Sequence, residues 1–234
     1  MKLFTFAQVG IISVFSFKLK EIENSCHVCS ETRDHTGAIL SGSNCFKPTS
    51  DSLIPCSGFC LDKMSFDWTI NGRQLIKIDR FCAGSTEKEP TCKYYEQSGG
   101  RAKDCQKYCS GHACNNDLSA GEIDSVGKIE TCLVCANING EGDANCEESD
   151  NLESEVCPPY LSEGCFSAFS SYSIDAAPLG NTTGKEIYRG CSAFALESGF
   201  ESVSRDWYNG QFAKARREFC DENDCNDKII DVNM

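Results

Sequence analysis

The sequence predicts a small disulfide-rich, all-β protein built as two tandem copies of one module. Three observations lead there: 18 cysteines in 234 residues, a cysteine spacing that repeats between the halves, and a run of period-two alternation ending in Asn-Gly. Cysteine at about 8% stands at the edge of the disulfide-scaffold class. The charged and apolar fractions, 24% and 40%, are those of a folded chain. The balance of 22 basic against 35 acidic side chains, net −13, argues against nucleic acid and anionic lipid as partners, because both select basic faces.

The stretch Leu3 to Phe17 is apolar apart from Thr5, Gln8 and small residues, and it follows the single positive charge of Lys2. It is too short to span a bilayer comfortably and reads as a secretory signal peptide over residues 1–16, with Val14 and Ser16 small enough for cleavage after Ser16. No later run of 18 apolar residues occurs, and Lys228 to Met234 carry no hydrophobic tail of the kind that specifies a GPI anchor. The expectation is a secreted, soluble, extracellular protein without stable membrane insertion, in a compartment where disulfides persist.

The first set of cysteines is Cys26, Cys29, Cys45, Cys56, Cys60, Cys82, Cys92, Cys105, Cys109 and Cys114; the second is Cys132, Cys135, Cys146, Cys157, Cys165, Cys191, Cys220 and Cys225. Both counts are even, as independently oxidised modules require. Each set opens C-x-x-C (Cys26–Cys29, Cys132–Cys135) and closes alike, with Cys109-x4-Cys114-Asn115 against Cys220-x4-Cys225-Asn226. Arg80-Phe81-Cys82 matches Arg189-Gly190-Cys191. Such agreement marks an internal duplication. The expected boundaries are a first domain at 17–117, a linker at 118–131 holding Ser119, Gly121, Ser125 and Gly127, and a second domain at 132–234.

These opening and closing motifs resemble the LU domain of lymphocyte antigens and the urokinase receptor, within the three-finger superfamily. The resemblance covers Cys26 to Asp117 and Cys132 to Asp227. Spacing alone leaves the connectivity open, since eight cysteines already allow 105 pairings. The resemblance implies Cys26–Cys60, Cys29–Cys45, Cys56–Cys82, Cys92–Cys105 and Cys109–Cys114, then Cys132–Cys165, Cys135–Cys146, Cys157–Cys191 and Cys220–Cys225. The second domain lacks the seventh and eighth cysteines of the full pattern, which leaves its third finger less restrained. Four or five bridges, each contributing about 2–4 kcal/mol, replace the core that three hairpins cannot build alone.

The clearest hairpin lies between Cys60 and Cys82. Met64, Phe66, Trp68 and Ile70 alternate with polar neighbours, which is a strand period, and Asn71-Gly72 is a two-residue turn signal. That turn sets Trp68 opposite Leu75 and Phe66 opposite Lys77. It distributes apolar residues over both faces, only one of which a two-stranded finger can bury. Trp68, Ile70, Asn71, Arg73 and Leu75 are therefore the expected binding patch, an aromatic anchor beside an arginine; packing against other fingers or the second domain is the alternative. The matching finger, Phe166 to Gly190, carries the sequon Asn181-Thr182-Thr183, an expected glycan acceptor that makes the chain a glycoprotein.

Charge divides unevenly. Cys26 to Asp117 holds 11 basic and 11 acidic residues, whereas Cys132 to Asp227 holds 6 and 18. Seven of those acids fall in Glu141 to Glu155, read as a solvated loop, with steering of a basic partner as the functional alternative. Zinc on the C-x-x-C pairs with His27, His35 or His112 is outweighed by the disulfide reading. No catalytic motif occurs, and neither cofactor nor metal is expected. The reading is a non-enzymatic recognition protein binding an extracellular or cell-surface protein, as modulator of a receptor or channel or as a co-receptor. The alternatives are an inhibitor of a secreted hydrolase such as a phospholipase and, less well matched, a toxin-like channel effector.

Overall fold

A computed structural model describes residues 24–227 apart from 70–71, 85, 98–99, 148, 150, 177–179, 195–198 and 208–210, with side chains also left out at 97, 100, 172–176, 180–182, 199–207 and 211–215. The segment expected to be a signal peptide, Ile70 and Asn71, and residues 228–234 lie outside the described residues. The fold is all-β, with short 3-10 turns between strands. The first half contributes β1 (Asn24–His27), β2 (Cys29–Asp34), β3 (Ile39–Gly42), β4 (Leu53–Cys56), β5 (Cys60–Trp68), β6 (Gln74–Cys82), β7 (Thr91–Gln97) and β8 (Gly100–Cys109). The second contributes β9 (Thr131–Leu133), β10 (Cys135–Ile138), β11 (Glu141–Gly142), β12 (Ser154–Val156), β13 (Gly164–Ala176), β14 (Gly180–Ser192), β15 (Gly199–Trp207) and β16 (Gln211–Cys220).

Two six-stranded antiparallel sheets result, ordered β3-β2-β6-β5-β8-β7 and β11-β10-β14-β13-β16-β15. Counted from its opening cysteine, each half follows the same path through three hairpins, and the small sheets β1–β4 and β9–β12 correspond as well. Nine disulfides close within the halves: 26–60, 29–45, 56–82, 92–105 and 109–114, then 132–165, 135–146, 157–191 and 220–225. In the third hairpin of the second half, Ser202 and Arg216 are cross-strand partners. They stand where the first half pairs Cys92 with Cys105, so that ladder persists without its cross-link.

The motifs shared by the halves share one structural task. The Asn115 side chain accepts from the backbone N–H of His27 at 2.9 Å and donates to the carbonyls of His27 and Leu61 at 3.0 and 3.4 Å. Asn226 does the same with Leu133 at 3.1 and 2.9 Å and with Phe166 at 2.9 Å. Arg80 and Arg189 each donate through Nη1 to the backbone carbonyl of that asparagine. The match thus ties the closing loop to the strand after the first cysteine and the strand after the fifth. The two arginines differ in their remaining partners. Arg80 Nε lies 3.4 Å from Asp62, whose carboxyl burial pushes up to about 7 against the pull of Arg80, whereas Arg189 donates to Ser167 Oγ at 2.9 Å. Replacing Asn115 or Asn226 by alanine strands three buried backbone groups and is expected to cost about 3 kcal/mol, measured by denaturant unfolding of the oxidised protein.

The β5–β6 hairpin departs from its expected register by one residue. Thr69 and Arg73 close the turn, with Thr69 N–H donating to the Arg73 carbonyl at 2.9 Å and Gly72 N–H to the Thr69 carbonyl at 2.9 Å. The loop is therefore three residues long, with Gly72 at φ +85° in the left-handed position such loops need. Trp68 consequently faces Gln74, Phe66 faces Ile76 and Met64 faces Ile78. A one-residue shift moves every side chain of β6 to the other face, and here it puts Ile76 and Ile78 on the face of Met64, Phe66 and Trp68.

That face packs on the second half. Phe46, Met64, Phe66, Trp68, Ile76 and Ile78 form one buried cluster with Leu161, Phe166, Ala168, Tyr188, Phe194 and Phe219. Bonds that cross the seam include Gln74 Nε2 donating to the Cys191 carbonyl at 3.1 Å and His35 Nε2 to the Cys135 carbonyl at 3.1 Å. The segment read as a linker is docked here as well. Ala120 and Ile129 are buried in the same cluster. A Cβ at Gly121 would lie 2.7 Å from Tyr160 Cβ and 2.9 Å from Met64 Sδ, so the segment fits between the sheets only as glycine.

Candidate functional site

The patch expected on the β5–β6 finger is not a free surface. Trp68 is only 3% exposed. Its ring meets Phe166 edge-on at 4.8 Å and Phe219 at 5.8 Å, lies 5.9 Å from Phe194, and is capped by the Arg217 guanidinium at 4.6 Å. The expectation of an exposed anchor is corrected: the second half covers the β5 face that carries Trp68, and the register shift brings Ile76 and Ile78 of β6 onto that same face. Arg73 is engaged too, 3.7 Å from Asp34 and 5.4 Å from the Tyr188 ring centroid. Leu75 is half-buried on the outer face between Asp34 and Asp67. Asn181 lies on β14 opposite Asp175, at the outer end of its hairpin.

In the acidic stretch, Glu141, Glu147, Glu153 and Glu155 are exposed, Lys185 pairs with Glu147, and Leu152 packs beneath on Phe169 and Ile187. Among the described residues, the groups of three potential metal-ligand atoms within 4.8 Å are all cysteines, and every one is in a disulfide with no thiolate to offer.

A different finger presents a concave, aromatic surface. Tyr94, Tyr95, Glu96 and Arg101 of the β7–β8 hairpin and Phe194 of the second half line a cleft of about 430 Å³. Tyr94 and Tyr95 are 58% and 38% exposed. Strand alternation puts Tyr94 and Glu96 on one face with their cross-strand partners Lys103 and Arg101. Lys103 itself pairs with Phe66, so this is the face that turns toward the second half. Cys92–Cys105 cross-links the hairpin two residues from Tyr94, which fixes the ring's origin.

Charged groups lie close to Tyr94. Lys103 is buried, its ammonium 5.8 Å from the Phe66 centroid and 5.5 Å from that of Tyr94. Burial lowers its pKa, against the pull of Asp124 and Glu163. Burial and the same two carboxylates, one bonded to its hydroxyl, push the Tyr94 phenol up to about 12. Glu163 is 3% exposed; its Oε1 accepts from Val126 N–H at 2.5 Å, while its Oε2 is buried without a hydrogen-bond partner. Sequence reasoning passed over this site because Thr91 to Gln97 shows no apolar alternation. The adjacent tyrosines beside a cysteine were the available sign.

No family model matches the chain, and no curated protein is significantly similar to it. Among solved structures, the crystal structure of mouse TEX101 aligns at 15% identity over 84% of this chain and 99% of that one, with a TM-score of 0.31.

Proposed function

We propose that this is a secreted, non-enzymatic recognition protein of the LU, three-finger type that binds an extracellular or cell-surface protein. The contact lies on the β7–β8 hairpin of the first half, not on β5–β6. The observation that carries the reading is the cleft between that hairpin and Phe194, where exposed tyrosines and an arginine, residue types enriched at binding hot spots, sit on a cross-linked support. Nine disulfides fit an oxidising compartment, and among the described residues no helix is long and apolar enough to cross a membrane. Histidine chemistry has little room: His35 is enclosed by Phe166 and Tyr188, and His27 bonds Ser52 at 2.7 Å.

Tagged protein applied to intact cells tests this. The Tyr94→Ala/Tyr95→Ala variant is expected to bind at least about tenfold more weakly, the scale of a lost hot spot, while melting within a few degrees of the parent. Undiminished binding by that variant would remove the cleft from the recognition surface. Suppression of a phospholipase or protease assay by the parent protein would instead bring forward the inhibitor reading.

A further inference from the structure

Eight of the nine disulfides are matched between the halves: 26–60 by 132–165, 29–45 by 135–146, 56–82 by 157–191 and 109–114 by 220–225. Cys92–Cys105 has no counterpart. At its place in the second half, Ser202 and Arg216 belong to a ladder that runs from Gly199 opposite Phe219 to Trp207 opposite Gln211 with no bridge across it. The third hairpin of this fold therefore forms without a cross-link, and the bond in the first half is not needed for the path of the chain.

The bond is also placed differently from the rest. Cys92 and Cys105 are direct cross-strand partners. Cys60 and Cys82, Cys60 and Cys109, Cys165 and Cys191, and Cys165 and Cys220 are partners in register too, but each is bonded elsewhere. The bridge between Cys92 and Cys105 thus crosses from β8 to β7, and β7 is the edge of the sheet. A thiolate attacks one sulfur of a disulfide and displaces the other, approaching from the side away from the sulfur that leaves. At Cys92, which is half-buried, that side is the edge beyond β7. At Cys105, which is buried, it is the body of the sheet, where Met64 of β5 stands opposite. Attack is directed to Cys92, with Cys105 as the leaving group.

We propose that Cys92–Cys105 is a reducible bond that regulates the Tyr94 cleft, opened by an extracellular dithiol while the other eight bridges keep the fold. This rests on the recognition reading and adds a control to its site. One thiolate of the dithiol attacks Cys92 Sγ, the bond to Cys105 breaks, and Cys105 leaves as a thiolate and takes up a proton. The second thiol of the reductant then attacks its own sulfur in the mixed disulfide and releases Cys92. The dithiol ends as a disulfide, and its two electrons and two protons end on the two cysteines. Tyr94 and Tyr95 follow Cys92 by two and three residues on a strand then held by its ladder to β8 alone. A contact surface that has to be ordered on binding binds more weakly than one already fixed.

The test uses the whole oxidised protein, with dithiothreitol as the dithiol. Samples taken during limited reduction are alkylated with iodoacetamide, and the labelled cysteines are located by peptide mass spectrometry. Cys92 and Cys105 are expected to be labelled at least about tenfold faster than any other pair, because only their attack path is open and their loss leaves the fold standing. Cys92→Ser/Cys105→Ser should be secreted with its remaining bridges formed, melt within a few degrees of the parent, and bind cells about tenfold more weakly, the scale of re-ordering an edge hairpin. Earlier labelling of Cys109 and Cys114 or of Cys220 and Cys225, which are also half-buried, would overturn the proposal. Failure of the serine variant to fold would overturn it as well, since the second half builds this hairpin without a bridge. If the serine variant binds cells as the parent does while Tyr94→Ala/Tyr95→Ala does not, the redox control is lost and the recognition reading survives; if both bind normally, the recognition reading has failed and the control with it.

Discussion

Trp68→Ala is expected to lower the free energy of unfolding by about 3–5 kcal/mol, the range for emptying a buried aromatic site. The ring touches Phe166, Phe194 and Phe219 of the second half, and the Arg217 guanidinium above it would lose its π partner. Disulfides constrain each half separately, so the loss falls on docking of one half against the other. Two measurements follow from that location. The denaturant midpoint should drop, and trypsin should cut after Lys128, exposed in the docked linker, faster than in the parent. A variant within about 0.5 kcal/mol of the parent, the usual scale of surface substitutions, that nonetheless lost partner binding would return Trp68 to the role that its alternation alone suggests.

The reason that Trp68 is buried and not exposed is specific. Alternation over Met64, Phe66 and Trp68 correctly identifies one face of β5, but period two does not reveal what covers that face. Asn71-Gly72 invites a two-residue turn, and the register drawn from it scatters the apolar residues of β6 over both faces. The Thr69–Arg73 closure moves β6 by one and resolves the conflict. Gly72 is held by the second half as well as by its own φ, since a Cβ there would lie 2.9 Å from Ala168 Cβ. A turn chosen by tertiary contact cannot be read from the turn residues alone.

The cysteine spacing and the Arg and Asn repeats are legible because each acts within one half. A C-x-x-C opening and a C-x4-C-N closing are local patterns, and their partners are set by a short, repeated path. What joins the halves is not local. His35 lies in a polar turn, Asp34-His35-Thr36-Gly37, with nothing to mark it as interior. It is buried only because Phe166, Tyr188 and Cys135 of the other half surround it. The Tyr94 cleft is hidden for the same reason as well: Tyr94 is in the first half, while Phe194 is in the second.

His35 makes docking of the halves dependent on pH. Its Nε2–H donates to the Cys135 carbonyl, and its Nδ1 is buried without a hydrogen-bond partner, so a second proton would have no acceptor. The residue is 7% exposed, and burial lowers its pKa from 6.5, assisted by the nearby Arg73 and opposed by the bond to Cys135 and by Asp34. Asp34 is already committed to Thr36, Ala38 and Arg73. On β14, the carboxylate of Glu186 accepts the Tyr188 hydroxyl at 2.6 Å. Above pH 6.5 the imidazole is neutral in both folded and unfolded chains, and its docking contribution is complete. Below that pH only the unfolded chain takes up the proton, so stability falls by up to about 1.4 kcal/mol per pH unit until the lower, docked pKa is reached. The His35 contribution to the denaturant midpoint is therefore expected to decline from pH 7.5 to pH 5, while Asp62, with its carboxyl pushed up to about 7, adds stability over the same interval. His35→Gln keeps a donor for the Cys135 carbonyl and should flatten that decline while lowering stability at pH 7.5 through lost ring contacts. The residual slope is that of His27, whose pKa burial and Arg80 also lower, set against the opposite slope of Asp62. Parallel slopes for parent and variant would show that the proton enters elsewhere; a flattened one would show that acid works at the seam, where charging His35 opposes the contacts that bury Trp68 and Phe166.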